Sequence, residues 1–253
     1  MPDFTYCFRG CALLFALIWA RPATAQYYYY FPNSVHIPVL EHAFDATLSG
    51  RMGRGTGFRS YEGQVCFSPV RYVGIMGNYA QAGSKAVKEL RETGGSMHFW
   101  EAGLGAYQPI GKSCVSLFGG YGEGEVFNSY GNDLYSRFLI ERWFVQPALM
   151  YQDNYFTAGV AMRFNYLIYS KGETAYNISD DQLLAIRSIE ENAPFFLPEL
   201  GLQAGVDFSP FSLHLALGNI FSRTEHYNFS RFNSQIGITL DIGDLVWLKR
   251  NKK

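Results

Sequence analysis

Charged residues are scarce in this sequence of 253 residues. Asp, Glu, Lys and Arg make up 17% of it, whereas an average soluble domain carries about 25%. The formal net charge is −1, so there is no basic excess that could attract the phosphate backbone of a nucleic acid. We therefore expect no nucleic-acid partner.

Cysteines are few, and the motifs of common enzymes are missing. The chain has four cysteines, and two of them lie in an N-terminal segment that we interpret as removed. The remaining pair, Cys66 and Cys114, is too small for a disulfide scaffold, and we predict free thiols inside the fold. The five histidines lack metal-ligand spacing, and neither a Gly-x-Ser-x-Gly elbow nor a phosphate loop is present. We predict no metal, no cofactor and no catalytic residue.

No apolar run reaches the roughly 20 residues that a membrane-spanning helix requires. The longest run, Cys11–Ala20, follows Arg9 and precedes Ala23-Thr24-Ala25, the small-x-small pattern that signal peptidase cleaves. We interpret residues 1–25 as a secretory signal peptide and Gln26 as the mature N-terminus. A buried N-terminal helix and a lipid-anchored cysteine are the alternatives.

Aromatic residues and glycine are abundant, at 17% of the chain and 26 residues. After residue 42, apolar and polar side chains alternate with the period of two that indicates β-strands, and ten such segments occur. In FTAGVAMRFNY, for example, Phe156, Val160 and Phe164 share one face, and Thr157 and Arg163 share the other. Short turn signals and longer polar connections separate the segments. The longer connections are 52–57, 82–95, 127–133, 170–195 and 223–229.

The glycine-rich and charged set suits a crowded lumen, and the Leu, Ile, Val, Phe, Ala and Trp set suits lipid. A soluble barrel would bury the apolar set instead. An arginine on the lipid face at mid-membrane would cost about 2–4 kcal/mol, and the regular strands place none there. We predict an all-β, up-and-down, antiparallel transmembrane β-barrel of about ten strands in a bacterial outer membrane.

Four segments follow from this interpretation. Residues 1–25 are the signal peptide, and 26–42 form a periplasmic N-terminal arm or a partial plug. Residues 43–243 form the barrel, and the basic tail at 244–253 stays in the periplasm. A capping box in the 170–195 connection predicts a short helix there.

Three segments resemble a known group of proteins. They are YYYFPNSVHIPVLEHAFDATLSG, the turn FSPVRYVG and the hairpin VQPALMYQDNYFTAGVAMRFNYLIY. All three are similar to small outer-membrane β-barrel proteins of Bacteroidetes, and the resemblance runs from about residue 28 to 242. It implies an integral outer-membrane barrel without an assigned reaction.

The inward-facing charges are the candidate functional residues. Burying an ion is costly unless it is paired, so we expect these side chains to form salt bridges. A lumen charge network is predicted from Glu62, Glu101, Arg142, Arg163 and Glu199. A second cluster, on the periplasmic side, is predicted from Asp45, Asp207, His214 and Asp241, whose carboxylates would favour a protonated histidine.

The leading functional interpretation is a structural, receptor, adhesive or envelope-complex barrel with a packed lumen. It would contact outer-membrane lipid, and other envelope proteins through the outer loops 82–95 and 170–195. A narrow pore for small solutes is one alternative. An outer-membrane hydrolase of lipids or peptides is another, in which rim histidines would act with acidic groups, namely His98, His226, Glu225, Asp180 and Asp181.

The signal-peptide interpretation predicts the mass of the mature chain. Intact-mass measurement of the purified protein should show a chain that begins at Gln26. Retention of residues 1–25, or a mass increment from diacylglycerol, would contradict it.

Overall fold

The computed structural model is a closed barrel of ten strands in which every neighbouring pair is antiparallel. It describes residues 28–55, 57–84, 93–153, 155–174, 183, 186–189, 191, 193–221 and 229–243. The strands are β1 (Ala46–Gly55), β2 (Phe58–Val70), β3 (Val73–Gly83), β4 (Thr93–Ile110), β5 (Ser113–Gly131), β6 (Leu134–Gln152), β7 (Phe156–Thr174), β8 (Phe195–Phe208), β9 (Phe211–Ile220) and β10 (Phe232–Asp241). Each strand pairs with the next one along the chain, and β1 pairs with β10 to close the ring. The predicted up-and-down ten-stranded barrel is confirmed.

The two faces of the wall differ sharply in polarity. Outward side chains such as Trp100, Leu104 and Trp143 are exposed, whereas Glu101 and Arg142 on the inward face are buried. Large apolar side chains therefore cover the outside of the barrel, where water would make such a surface unfavourable. A closed barrel with this surface is an integral membrane protein of the outer-membrane type.

The two ends of the barrel also differ. Tight turns at 71–72, 111–112 and 209–210, and the connection from β6 to β7, share one end with the start of β1 and the finish of β10. We call this the short-turn end, which in outer-membrane barrels faces the periplasm, and the opposite one the long-loop end. Since about 9–11 residues suffice to cross a membrane, β4–β7, with 18 or 19 residues each, extend past it at the long-loop end.

Three predicted connections are wrong in detail, and the first is 52–57, most of which belongs to β1 because that strand runs to Gly55. The polar stretch 127–133 continues β5 to Gly131, and the chain reverses at Asn132 and Asp133, both of which have positive φ. Its polar residues had indicated a loop, yet Asn128 points into the lumen and is buried. Pro69 lies not in the turn but at an irregularity in the pairing of β2 with β3, a position that proline tolerates within a sheet.

A short helical segment follows β7. The described residues 183, 186–189 and 191 are helical, as the capping box predicted, and Ile186 and Ile189 are buried. Among the described residues, no helix is long and apolar enough to cross a membrane. The predicted signal peptide and the predicted basic tail lie outside the described residues.

Two substitutions on β4 test which part of the outward face lies in the middle of the membrane. Leu104 and Ile110 point outward with exposed fractions of 61% and 59%, but Ile110 adjoins a turn and Leu104 lies mid-strand. Leu104→Arg should lower the free energy of unfolding by about 2–4 kcal/mol, and the control Ile110→Arg by about 1 kcal/mol or less. Urea unfolding from lipid vesicles measures both. Equal losses would contradict the membrane placement.

Candidate functional site: a segment of the chain inside the barrel

Residues 28–40 run through the lumen of the barrel, and we call them the lumen segment. All of them except Val39 are buried, and none belongs to a named strand. Tyr28 contacts Asn128 near the long-loop end of β5, and Leu40 packs with Cys66 and Phe118. The chain then turns at the short-turn end and enters β1. The segment therefore crosses the barrel in the direction opposite to β1.

The barrel wall recognises the main chain of the lumen segment. Pro32 and Pro38 lack a backbone N–H, which disfavours strand pairing for this stretch. Side chains of the wall take the place of a strand partner: Glu62 accepts from the Ser34 N–H at 2.9 Å, and carbonyl oxygens of the segment accept from Tyr169 at 2.9 Å, Asn233 at 2.9 Å, Arg163 at 3.1 Å and Gln146 at 2.6 Å. These bonds satisfy buried backbone groups that water cannot reach.

Asn33 lies at the centre of the lumen charge network. Its side-chain oxygen accepts from Arg142 at 2.9 Å and from Arg163 at 3.0 Å. Its amide nitrogen donates to Glu101 at 2.9 Å. Asn33 therefore bonds to positively and negatively charged side chains of the wall. Tyr30, also in the lumen segment, bonds to Glu199 of the same network.

The charges themselves form a chain of ion pairs. Glu101 pairs with Arg142 and, at 3.4 Å, with Arg163, whose Nε also donates to Glu199 at 2.8 Å. The Tyr30 hydroxyl accepts from Arg142 at 2.5 Å and donates to Glu199 at 2.7 Å. The two arginines are completely buried. The structure thus brings together four of the five charges predicted for this network.

Glu62, the fifth predicted member, lies elsewhere, which corrects the expectation that it serves Arg142 and Arg163. Its carboxylate accepts from the backbone N–H and the hydroxyl of Ser34, and from Gln235. The charge nearest in register is Arg51, directly opposite Glu62 on β1. Arg51 donates to the Ser34 hydroxyl at 3.2 Å, so Ser34 bridges the two charges.

Arg51 is a lumen residue that the sequence interpretation missed. The signal was present, because Thr47, Ser49 and Arg51 occupy alternate positions of one strand and all three are buried. With Arg51 included, three arginines face three glutamates: Arg51, Arg142 and Arg163 against Glu62, Glu101 and Glu199. The buried charges of the mid-lumen therefore balance.

Three members of the predicted periplasmic-side cluster, Asp207, His214 and Asp241, line one cavity, and Asp45 is not part of that lining. Asp45 bonds to the backbone N–H groups of Glu41 and His42 at 2.8 and 2.6 Å, and so caps the turn that leads into β1. His214 contacts Ser212 at 2.5 Å and Gln203 at 3.4 Å. The neighbours bonded to the imidazole are thus a hydroxyl and an amide rather than carboxylates. The reason given for a protonated His214 is therefore absent.

Apolar clusters close the lumen on both sides of the charges. Toward the long-loop end, Tyr28–Phe31 pack against wall residues and against Ile186 and Ile189 of the helical segment. Toward the short-turn end, Leu40 packs among Cys66, Cys114 and neighbouring aromatic rings. Both cysteines are free and buried, as predicted.

The residues considered for a hydrolytic site are mostly outside the described part of the chain. His226, Glu225, Asp180 and Asp181 all fall there. His98 is described, and it lies exposed on the outward face of β4, in register with Gln81 and Glu125. Within the residues that the structure describes, no group of three or more His, Cys, Asp or Glu side chains is arranged to hold a metal ion.

Comparison with known proteins finds likeness in structure alone. No protein-family model and no curated protein matches the chain. Among solved structures, the NanC porin covers 77% of this chain and 98% of its own, with 7% identity and a TM-score of 0.41. Outer-membrane protease OmpT from Escherichia coli covers 79% and 94%, with 7% identity and a TM-score of 0.41. The translocator domain of autotransporter NalP from Neisseria meningitidis covers 78% and 87%, with 10% identity and a TM-score of 0.40.

The printed names of these similar structures span a porin, a protease and a translocator. At such identities and TM-scores the likeness says nothing about activity. What the chain does has to be argued from its own lumen and surfaces.

The charge network predicts an unequal effect of two arginine substitutions. Arg163→Ala leaves Glu199 and Glu101 buried with fewer partners, and loss of one member of a buried pair typically costs about 3–5 kcal/mol. Arg137→Ala removes only a half-exposed pair with Glu125, which should cost about 1 kcal/mol or less. Urea unfolding in vesicles compares them. Similar stabilities for the two variants would show that the network contributes little.

Proposed function

We propose that the protein is a closed, non-conducting outer-membrane barrel whose role is carried by its long-loop end. The observation that supports this most directly is the lumen segment, which fills the barrel and is bonded to the wall along its length. A narrow pore would need a continuous water path past Asn33, Arg142 and Arg163. Those side chains are buried at 3%, 0% and 0% exposure, respectively.

The length of strands β4–β7 also supports the long-loop end as the functional surface. Strands β4–β7 extend beyond the length needed to cross a membrane, and they carry the rim away from the lipid headgroups. The outward side of this extension carries polar pairs, such as Arg137 with Glu125 at 3.3 Å. A rigid wall that raises loops above the membrane is the usual arrangement for a binding surface. We therefore infer a scaffold or receptor role, with partners among envelope proteins.

Planar-bilayer recording of the refolded mature protein tests closure. The wild type should pass no steady current, because hydrogen bonds to charged wall side chains and main-chain bonds hold the lumen segment in place. The double substitution Asn33→Ala with Ser34→Ala removes the side-chain bonds of both residues to the charged wall, leaves their main-chain bonds, and should produce intermittent conductance. The control Ser116→Ala changes an inward serine of β5 that makes no bond to the segment, and it should stay silent.

Steady wild-type conductance would replace this proposal with the narrow-pore alternative. Silence of both wild type and double variant, with both correctly folded by heat-modified mobility on gels, would show that packing and the remaining main-chain bonds keep the barrel closed. Closure would then stand, and the side-chain bonds of Asn33 and Ser34 would not be its cause.

A further inference from the structure

A separate cavity of about 430 Å³ opens at the short-turn end of the barrel. It lies between residues 36–41 and the inner faces of β1 and β7–β10. Its volume falls within the range of roughly 300–1,000 Å³ that is usual for small-molecule sites. By the orientation given above, it faces the periplasm.

Three buried side chains on the cavity wall keep an unmatched polar atom. His36, Arg51 and Thr157 are 3%, 5% and 2% exposed. Within the described part of the chain, His36 Nδ1, Arg51 Nε and Thr157 Oγ1 have no hydrogen-bond partner. Buried polar groups are normally hydrogen-bonded, so a wall with three such groups fits a polar occupant.

The charges of the cavity are ordered along its depth. Arg51, Gly237, His214 and Gly205 form one row across β1, β10, β9 and β8, at the inner end. Asp207 lies two residues from this row on β8, and Asp241 lies four residues from it on β10. At about 3.4 Å per residue, these positions lie about 7 and 14 Å further along their strands toward the mouth.

Arg51 is the charged side chain that lines the inner end, while Glu62, which balances it, lies outside the cavity lining, and the carboxylates of Asp207 and Asp241 lie nearer the mouth. Lys112 at the mouth donates to Asp153 at 2.8 Å, and this bond raises the pKa of the lysine above its ordinary value. The carboxylates at the mouth would repel a simple anion, and Arg51 would repel a simple cation. A molecule that carries a carboxylate at one end and an ammonium at the other complements both.

We propose that this cavity binds the zwitterionic form of a short peptide of about three residues, carboxyl end inward. The carboxylate would bond to Arg51, with His36, Thr157 and Gln203 close by, and the ammonium would face Asp207 and Asp241. An extended chain of three residues spans about 10 Å, which lies between the two carboxylate levels. The peptide backbone would supply acceptors and donors for the unmatched wall groups. This site lies at one end of the barrel and uses residues 36–39 of the lumen segment as part of its wall.

Isothermal titration of the full mature protein in detergent with triglycine tests the proposal. Triglycine amide lacks the carboxylate, and N-acetyl-triglycine lacks the ammonium. Triglycine should bind, and each capped peptide should bind about tenfold or more weakly, because each loses a charge-assisted contact. Failure of triglycine to bind, or equal binding of the three peptides, would overturn the proposal.

Two variants locate the site. Asp207→Asn should weaken triglycine binding about tenfold and leave N-acetyl-triglycine unaffected, since the acetylated peptide has no ammonium for Asp207 to meet. The control Glu123→Gln removes the same charge from the outward face of β5 and should leave all three affinities unchanged. Arg51→Lys should weaken triglycine but not triglycine amide. Loss of binding in the control, or none in either cavity variant, would show that triglycine binds elsewhere.

Discussion

The interior of this barrel is organised by the need to neutralise Arg142 and Arg163, two completely buried guanidinium groups. Neither group can remain in a narrow lumen without carboxylates and hydrogen-bond acceptors around it. Glu101 and Glu199 supply the charge, but the geometry leaves donor hydrogens that the wall alone does not meet. Asn33 and Tyr30 of the lumen segment accept them. The lumen segment therefore supplies hydrogen-bond acceptors that the buried arginines of the wall need.

The same dependence explains why the lumen segment can be irregular and still well packed. It forms no regular strand. The Tyr30 carbonyl accepts from the backbone N–H of Ser230, but most backbone hydrogen bonds of the segment go to side chains. Inward-facing Gln146, Asn233 and Tyr169 provide those bonds. Inward positions without a side chain make room for the segment: a Cβ on Gly201 would meet Val35 at 2.5 Å, and one on Gly74 would meet Leu40 at 2.9 Å. At these two positions glycine leaves room for the lumen segment.

Much of the wall could be predicted from the sequence, because period-two alternation is a local property. It placed Arg163 and Glu199 on one face of adjacent strands, and the structure pairs them in direct register. The segment inside the barrel could be assigned only to two alternatives, a periplasmic arm or a partial plug, because it has no periodicity. The partners of Asn33 lie 68 to 130 positions away along the chain. The position of each residue along the barrel axis could not be predicted either, because it depends on the register of every strand pair. Glu62 was therefore grouped with the wrong arginines.

The direction of the lumen segment changes how the two ends of the described chain relate to the membrane. A barrel with an even number of strands returns its chain to the side from which it started. Here one more pass, through the lumen, precedes β1 and runs against it, so the number of passes is odd. Tyr28 and Asp241 therefore lie on opposite sides of the bilayer. A reporter placed just ahead of Tyr28 and one placed just behind Asp241 would sample different compartments of the same cell envelope.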